Sequence, residues 1–292
     1  MFEFKKIKVE DRKTLGKFIE KYGFSYSDHC FGGLYIWQDA YNTEYSVYDN
    51  TVIIRGNIDG KRFYQAPVGE NFDKAIEYLI HNDSENLCFL AISQHEKERI
   101  ESVFPDKFRF EFDRDNSDYI YSRQDLSFFK GKSFQQKRNH VNKFIRLYGK
   151  PEVISLNKYN IGLIAEAEEH WLYENDSDND WLIREKKSIK RCIESFDSLE
   201  FLGNALMVND EIVAFGIGER LGKDMVLQHF EKASRKYEGC YAVMTSEFAK
   251  SLPDDIVYIN REEDMGIEGL RQAKLSLKPI RLEEKYNGFF VK

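Results

Sequence analysis

The chain has 292 residues, of which 42% are hydrophobic and 32% charged, so it can bury a core and is long enough for two domains. Its net charge of −7 excludes a general nucleic-acid binder, which would be basic over the whole domain, but leaves room for a local basic patch. No apolar run approaches the ~18 residues of a membrane span. The early charges of "MFEFKKIKVED" do not make a secretory signal. The four scattered cysteines (Cys30, Cys88, Cys192, Cys240) read as reduced thiols of a cytoplasmic protein.

Strands and helices alternate along the chain. "VEDRKTLGKFIEKYG" has helical spacing, with Asp11 near its start and Gly23 past its end, and "DHCFGGLYIWQDAY" holds a short second helix. "TEYSVYDNTVIIRG" alternates with period two around Asp49-Asn50 and predicts a hairpin. A strand in "KRFYQAPVG", a helix in "NFDKAIEYLIHN", a buried strand in "NLCFLAIS", a helix in "QHEKERIESVF" and one or two strands in "FRFEFDRDNSDYIYS" follow.

Beyond a basic stretch, helices are predicted in "NIGLIAEAEEHWLYE" and "REKKSIKRCIESF". Then come three strands, "LEFLGNALMV", "IVAFGIGERL" and "DMVLQHFEKA", turning at Asn209-Asp210 and Leu221-Gly222-Lys223. Helix "CYAVMTSEFAKSL", strand "DIVYINRE", helix "IEGLRQAKLSL" and strand "PIRLEEKY" complete the order. This is a mixed α/β pattern of α+β sheets, read as two domains covering residues 1–125 and 126–292, the second opening on the basic stretch.

That stretch runs from Lys130 to Lys150 with seven Lys or Arg and no acid. On a helical wheel Phe134, Val141, Phe144, Ile145 and Tyr148 share one face, and Arg138, Asn142 and Arg146 form an adjoining row. Lys137 falls inside the apolar stripe, where a lysine must snorkel, find an acid or face a cleft. The stretch is either a solvated helix or an anion site for phosphate or carboxylate.

A second cluster lies in "YINREEDMGIEGLRQAKLSLKP", where a strand runs into a polar loop and then a helix. Ligands of open α/β sheets bind at such strand ends. Asn260, Arg261, Glu262, Glu263 and Asp264 sit there, and Lys274 falls between Ile267 and Leu270 on an apolar helical stripe. The alternatives are a salt-bridged loop or a site whose acids meet an amino group while Arg261 or Lys274 meets an anion. Alternation in "VLQHFEKA" sets His229 and Glu231 on one side of a strand, a spacing that suits acid–base work. There is no paired-His spacing, so a metal site is not expected. "ENDSDNDW", residues 174–181, reads as an acidic loop that would favour a cationic substrate if it covers a cleft.

The element order is similar to that of Gcn5-related acetyltransferases (GNAT). "LYIWQDAY", "YSRQDLSFFKGKSFQQKRNHVNKF", "HFEKA" and "YINREEDMGIEGLRQAKLSLKP" resemble the DUF2156 family, related to the C-terminal domain of phosphatidylglycerol lysyltransferases. The resemblance covers essentially the whole chain. It implies a tandem GNAT-like acyltransferase fold similar to the Fem-type aminoacyltransferases, in which an aminoacyl-tRNA gives its amino acid to a lipid hydroxyl or a peptide amine. Two departures matter. The multi-span membrane domain of the lysyltransferases is not in this sequence. The acyl-CoA loop Q/R-x-x-G-x-G/A is represented by "KYEGCYA", with Tyr241 at its second small position, which disfavours a CoA thioester as donor.

The reading is therefore an aminoacyl- or acyltransferase with aminoacyl-tRNA as co-substrate and a small-molecule, lipid-headgroup or peptide acceptor. Glu231, Lys274 and Asp264 are its candidate catalytic residues. Lys137, Arg138, Asn142, His229, Asn260, Arg261 and Glu262 are its candidate substrate ligands. The alternatives are an acyl-CoA N-acyltransferase and a non-catalytic module that binds charged tRNA or anionic lipid headgroups.

Overall fold

The structure, a computed structural model, describes residues 3–22, 26–85, 87–167 and 180–291. The chain forms two compact units, Met1–Asp118 with Glu263–Ile267 and Leu282–Lys292, and Tyr119–Glu262 with Glu268–Arg281. A single cut after residue 125 does not describe this division. The boundary falls inside a strand, and two later segments return to the first unit: a short loop, Glu263–Ile267, and a strand near the C-terminus that fills a central slot in its sheet.

In the first unit the strands are β1 (Glu44–Tyr48), β2 (Thr51–Ile58), β3 (Lys61–Tyr64), β4 (Val68–Gly69), β5 (Cys88–Ser93), β6 (Phe108–Ser122) and β12 (Arg281–Phe290). They lie in the order β1-β2-β3-β5-β12-β6, with β4 against β2. The predicted hairpin forms as read: Asp49 and Asn50 both take positive φ, at 45° and 56°, the backbone of a two-residue primed turn. Helices Phe72–Asp83 and Gln94–Val103 supply Phe72, Ile76, Leu79 and Ile100 to a core with Ile53, Tyr64, Phe89 and Ile92. The second helix starts on a capping box, in which Ser93 accepts from the Glu96 amide and the Glu96 carboxylate accepts from the Ser93 amide. A buried ionic knot joins three segments of this unit: Lys285 Nζ lies 2.7 Å from Asp118, 2.5 Å from Asp28 and 2.7 Å from Ser27 Oγ.

The second unit orders the end of β6, then β11 (Tyr258–Asn260), β10 (Met225–Ala233), β9 (Glu211–Leu221), β8 (Leu202–Val208) and β7 (Glu152–Ser155). β10 runs antiparallel to β9 but parallel to β11. Asn209 and Asp210 again take positive φ, and the predicted meander follows. Helix Cys240–Ser251 buries Val243, Met244 and Phe248. Its C-terminal carbonyls are collected by Arg123, whose guanidinium donates to the oxygens of Ala249, Leu252, Pro253 and Ile256.

The predicted helix from 160 is described over 160–167 and is helical from 163, and the acidic loop, apart from residues 180 and 181, lies outside the described residues, as does Gly23. Among the described residues, no helix is long and apolar enough to cross a membrane.

Candidate functional site

The site of the second unit is built on one irregularity. The register of β10 against β9 slips between Gln228 and Phe230, so Gln228 opposes Gly218 and Glu231 opposes Gly216. Gly216 and Gly218 share a face, so the bulge carries Gln228 and Glu231 to that same face, three residues apart, and they hydrogen-bond at 3.1 Å. A Cβ on Gly216 would meet Phe248 and Met244, which identifies this face as the one under helix Cys240–Ser251. His229 turns the other way. The pairing of His229 with Glu231 read from plain alternation is therefore corrected by the bulge.

Glu231 is almost fully buried and its oxygens are fully engaged. It accepts Thr245 Oγ1 at 2.9 and 3.1 Å, the Gln228 amide, and Arg261 Nη2 at 2.8 Å. A carboxylate so occupied orients its neighbours rather than moving protons. What it orients is Arg261, whose guanidinium is 5.9 Å from the Tyr121 ring centroid and whose Nη1 is buried with no hydrogen-bond partner among the described residues. Lys137 joins this cation. Its side chain is half-buried and its pKa is lowered, first by burial and then by the positive charges of Arg261 and Lys278, with Glu231 pulling the other way. Arg261 and Lys137 thus share the field of one carboxylate that is already satisfied, a local excess of positive charge suited to an incoming anion, to which the exposed Lys278 adds a smaller repulsion on Lys137. Burial and the nearby Glu231 also raise the Cys240 thiol to about 12, which makes it inert.

On the opposite face His229 is buried between two carboxylates. Its Nε2 is 2.8 Å from Glu219 and its Nδ1 2.9 Å from Glu262. Both ring nitrogens can donate to carboxylates only in the imidazolium form. Burial opposes that charge, but the hydrogen bonds to Glu219 and Glu262 outweigh it and lift the pKa to about 9. His229 and Glu262 are spent on each other, and the clamp holds the loop that carries Arg261. Two further contacts shape that loop. Lys274 Nζ donates to the carbonyls of Arg261 and Glu262, and buried Asn260 accepts the Glu262 amide at 2.8 Å. Glu262 itself sits at φ 57°, a left-handed conformation that these contacts must sustain.

The remaining candidates fall elsewhere. Arg138 does not face an anion: it donates to the Phe129 and Gly131 carbonyls and to Gln135, closing the end of helix Arg123–Phe128. Asn142 is exposed on the solvent side of helix Gln135–Tyr148. Ile145, expected on the apolar face, is 42% exposed, whereas Phe134 and Phe144 are buried. Asp264 belongs to the first unit, where its fully buried carboxylate meets Arg114 at 3.2 Å and the Gly266 amide at 2.9 Å. Lys278, Thr245, Gln228 and Tyr121 were not singled out from the sequence. Only Gln228, an amide next to the histidine in "LQHFE", carried a visible signal.

The chain matches the family described as phosphatidylglycerol lysyltransferase, C-terminal, over residues 19–288. It belongs to that family. A conserved protein of unknown function from Bacteroides thetaiotaomicron is 34% identical, with all of each chain covered and a TM-score of 0.92. L-PGS from Bacillus licheniformis is 16% identical over 96% of this chain and 92% of that one, with a TM-score of 0.68. FemX, at 7% identity over 99% and 97% of the two chains, gives 0.58. The fold of this family member is thus of the GNAT-like type expected from its element order and of the Fem kind that the family resemblance implies. The curated relative it matches, uncharacterized protein MYCGA3080 of Mycoplasmoides gallisepticum, is 25% identical over 177 residues, and the chain spans 55% of that protein's length.

Proposed function

We propose that this protein is an aminoacyltransferase whose Arg261 and Lys137 hold an anionic group of donor or acceptor. The family and the fold support a transferase of acyl or aminoacyl groups. The observation that carries the finer reading is the buried Arg261 Nη1, which has no hydrogen-bond partner among the described residues, is aligned by Glu231 and has the Lys137 charge near it. In the reaction, an amine or hydroxyl of the acceptor attacks the ester carbonyl of an aminoacyl-tRNA. The tetrahedral intermediate collapses, the ribose oxygen of the RNA leaves, and that oxygen takes up the proton lost by the acceptor. The site contributes charge neutralisation and orientation.

A CoA thioester fits less well, and "KYEGCYA" supplies the reason. The Glu238 amide is 3.3 Å from Tyr148 Oη, Cys240 N bonds the Tyr237 carbonyl at 3.0 Å, and the amides of Ala242 and Val243 turn back to Gly239 at 3.0 and 3.3 Å. Gly239 owes its identity to packing: at φ 87°, a Cβ there would stand 2.4 Å from the His140 carbonyl. The Tyr241 phenol takes the Ala233 backbone amide, and its pKa is raised by burial and by Glu231. The amides that would cradle a pyrophosphate are largely engaged within the protein.

The experiment is transfer of labelled amino acids from a mixed aminoacyl-tRNA pool into lipid, peptide and small-amine fractions, beside calorimetry with CoA and acetyl-CoA. Transfer by the wild type and its loss in Lys137→Met are expected. Acyl-CoA binding with no transfer from RNA would overturn the reading in favour of an acyl-CoA N-acyltransferase.

A further inference from the structure

Three of the seven cations between Lys130 and Lys150 are committed to partners or to the site, one of them in a surface pair, while Lys130, Lys132, Arg146 and Lys150 are exposed. Lys137 turns to the site, Arg138 closes a helix, and Lys143 pairs with Glu238. A second basic helix concentrates its exposed cations on one short face. In helix Asp180–Ser195 the segment "REKKSIKR" has five cations and one acid, within a chain of net charge −7. The inner face is anchored by buried Ser188, Ile189 and Cys192. The acid of the segment, Glu185, also turns inward and pairs with Lys232 at 2.5 Å, on the same strand that carries Glu231. Lys186, Lys187 and Lys190 are left exposed on the outer side, at spacings that place them on adjacent turns. Lys190 has Glu194 at 4.0 Å, and Lys186 and Lys187 have no carboxylate within ion-pair distance among the described residues.

We infer that this outer face docks the phosphate backbone of the donor RNA while its aminoacyl end reaches the cluster at Arg261. The inference rests on the aminoacyl-RNA reading above. A lone solvated lysine face would be unremarkable. Here the segment's acid is withdrawn from the face, and it ties the helix to β10, so an RNA held on the lysines is held in a fixed relation to the site. Phosphate contacts of this kind position a ligand without reading its sequence, which suits a donor recognised by its charged end.

The test compares wild type with Lys186→Gln/Lys187→Gln/Lys190→Gln and with the corresponding triple Glu variant. Two donors are used: the mixed aminoacyl-tRNA pool and the short 3′-aminoacyl oligonucleotides released from it by nuclease. Binding of uncharged bulk tRNA is measured across salt in parallel. Each lost phosphate contact lowers the salt slope by about 0.7 to 0.9, so the triple Gln variant should lose about 2 to 3. Transfer from whole tRNA should fall at least about tenfold, while transfer from the short donors stays unchanged. Equal loss with both donors, or no loss with either, overturns the inference, and so does an unchanged salt slope. Loss of binding to anionic vesicles with RNA binding intact overturns it in favour of a membrane. If the wild type transfers nothing but the slope still falls in the variant, the docking face stands and the proposed reaction does not. Circular dichroism of both variants guards against loss of the helix.

Discussion

Replacing His229 by Gln removes the charge that holds Glu219 and Glu262 together. The folded protein keeps this imidazole protonated up to about pH 9, against an ordinary value of 6.5. A group whose pKa is raised by folding stabilises the fold fully below its unfolded pKa, and that stability is lost as pH rises through the folded value. The window is therefore about pH 6.5 to 9. Each pKa unit is worth about 1.4 kcal/mol, so the protonated ring contributes about 3 kcal/mol. Urea denaturation of wild type and His229→Gln from pH 6 to 9.5 measures this. The wild type should lose most of that increment across the window. The variant should start lower at pH 6, because two largely buried carboxylates face each other unneutralised, and should show a flatter profile. Parallel profiles, or a His229 ring resonance that titrates near pH 6.5, would refute the reasoning.

Lys137→Met should lower transfer at least tenfold without lowering Tm. Its depressed pKa means that the charged lysine is disfavoured in the folded state, so removing the charge is neutral or stabilising. Thermal melts beside the transfer assay separate these effects. Arg138→Ala should cost about 1 to 3 kcal/mol by leaving carbonyls of a tight turn unpaired, and should leave the KM of transfer unchanged. A raised KM would return Arg138 to the site. Gly239→Ala should destabilise the protein by at least about 2 kcal/mol, because the methyl meets the His140 carbonyl and the backbone is left-handed. A melt indistinguishable from wild type would show that helix Gln135–Tyr148 can move away.

The element order was legible because its signals are local. The Asp49-Asn50 and Asn209-Asp210 turns declare hairpins, and helix Phe72–Asp83 follows its apolar spacing. Helix Arg123–Phe128 and strand β7 were missed; each is short, and the helix end is completed by Arg138 from outside it. In the site, Lys137 on an apolar stripe is a visible irregularity: it is half-buried, with its charge favoured by Glu231 and opposed by burial and by Arg261. The split of His229 from Glu231 was not legible. A bulge depends on how two strands settle against each other, and no residue in "VLQHFEKA" announces it. Arg138 shows the same limit in another form, for a guanidinium near a chain of carbonyls serves the backbone as readily as a substrate.

The passage of β12 between β5 and β6 bears on how the molecule is made. Most of the first unit precedes the second in the chain, yet its sheet has a gap until residues 282–290 emerge. Lys285, the cation that neutralises Asp28 and Asp118, arrives on that same strand. The unit that begins first thus closes late, and until then two carboxylates and an open sheet edge wait for their partner. During synthesis this is the part of the protein that chaperones would be expected to guard.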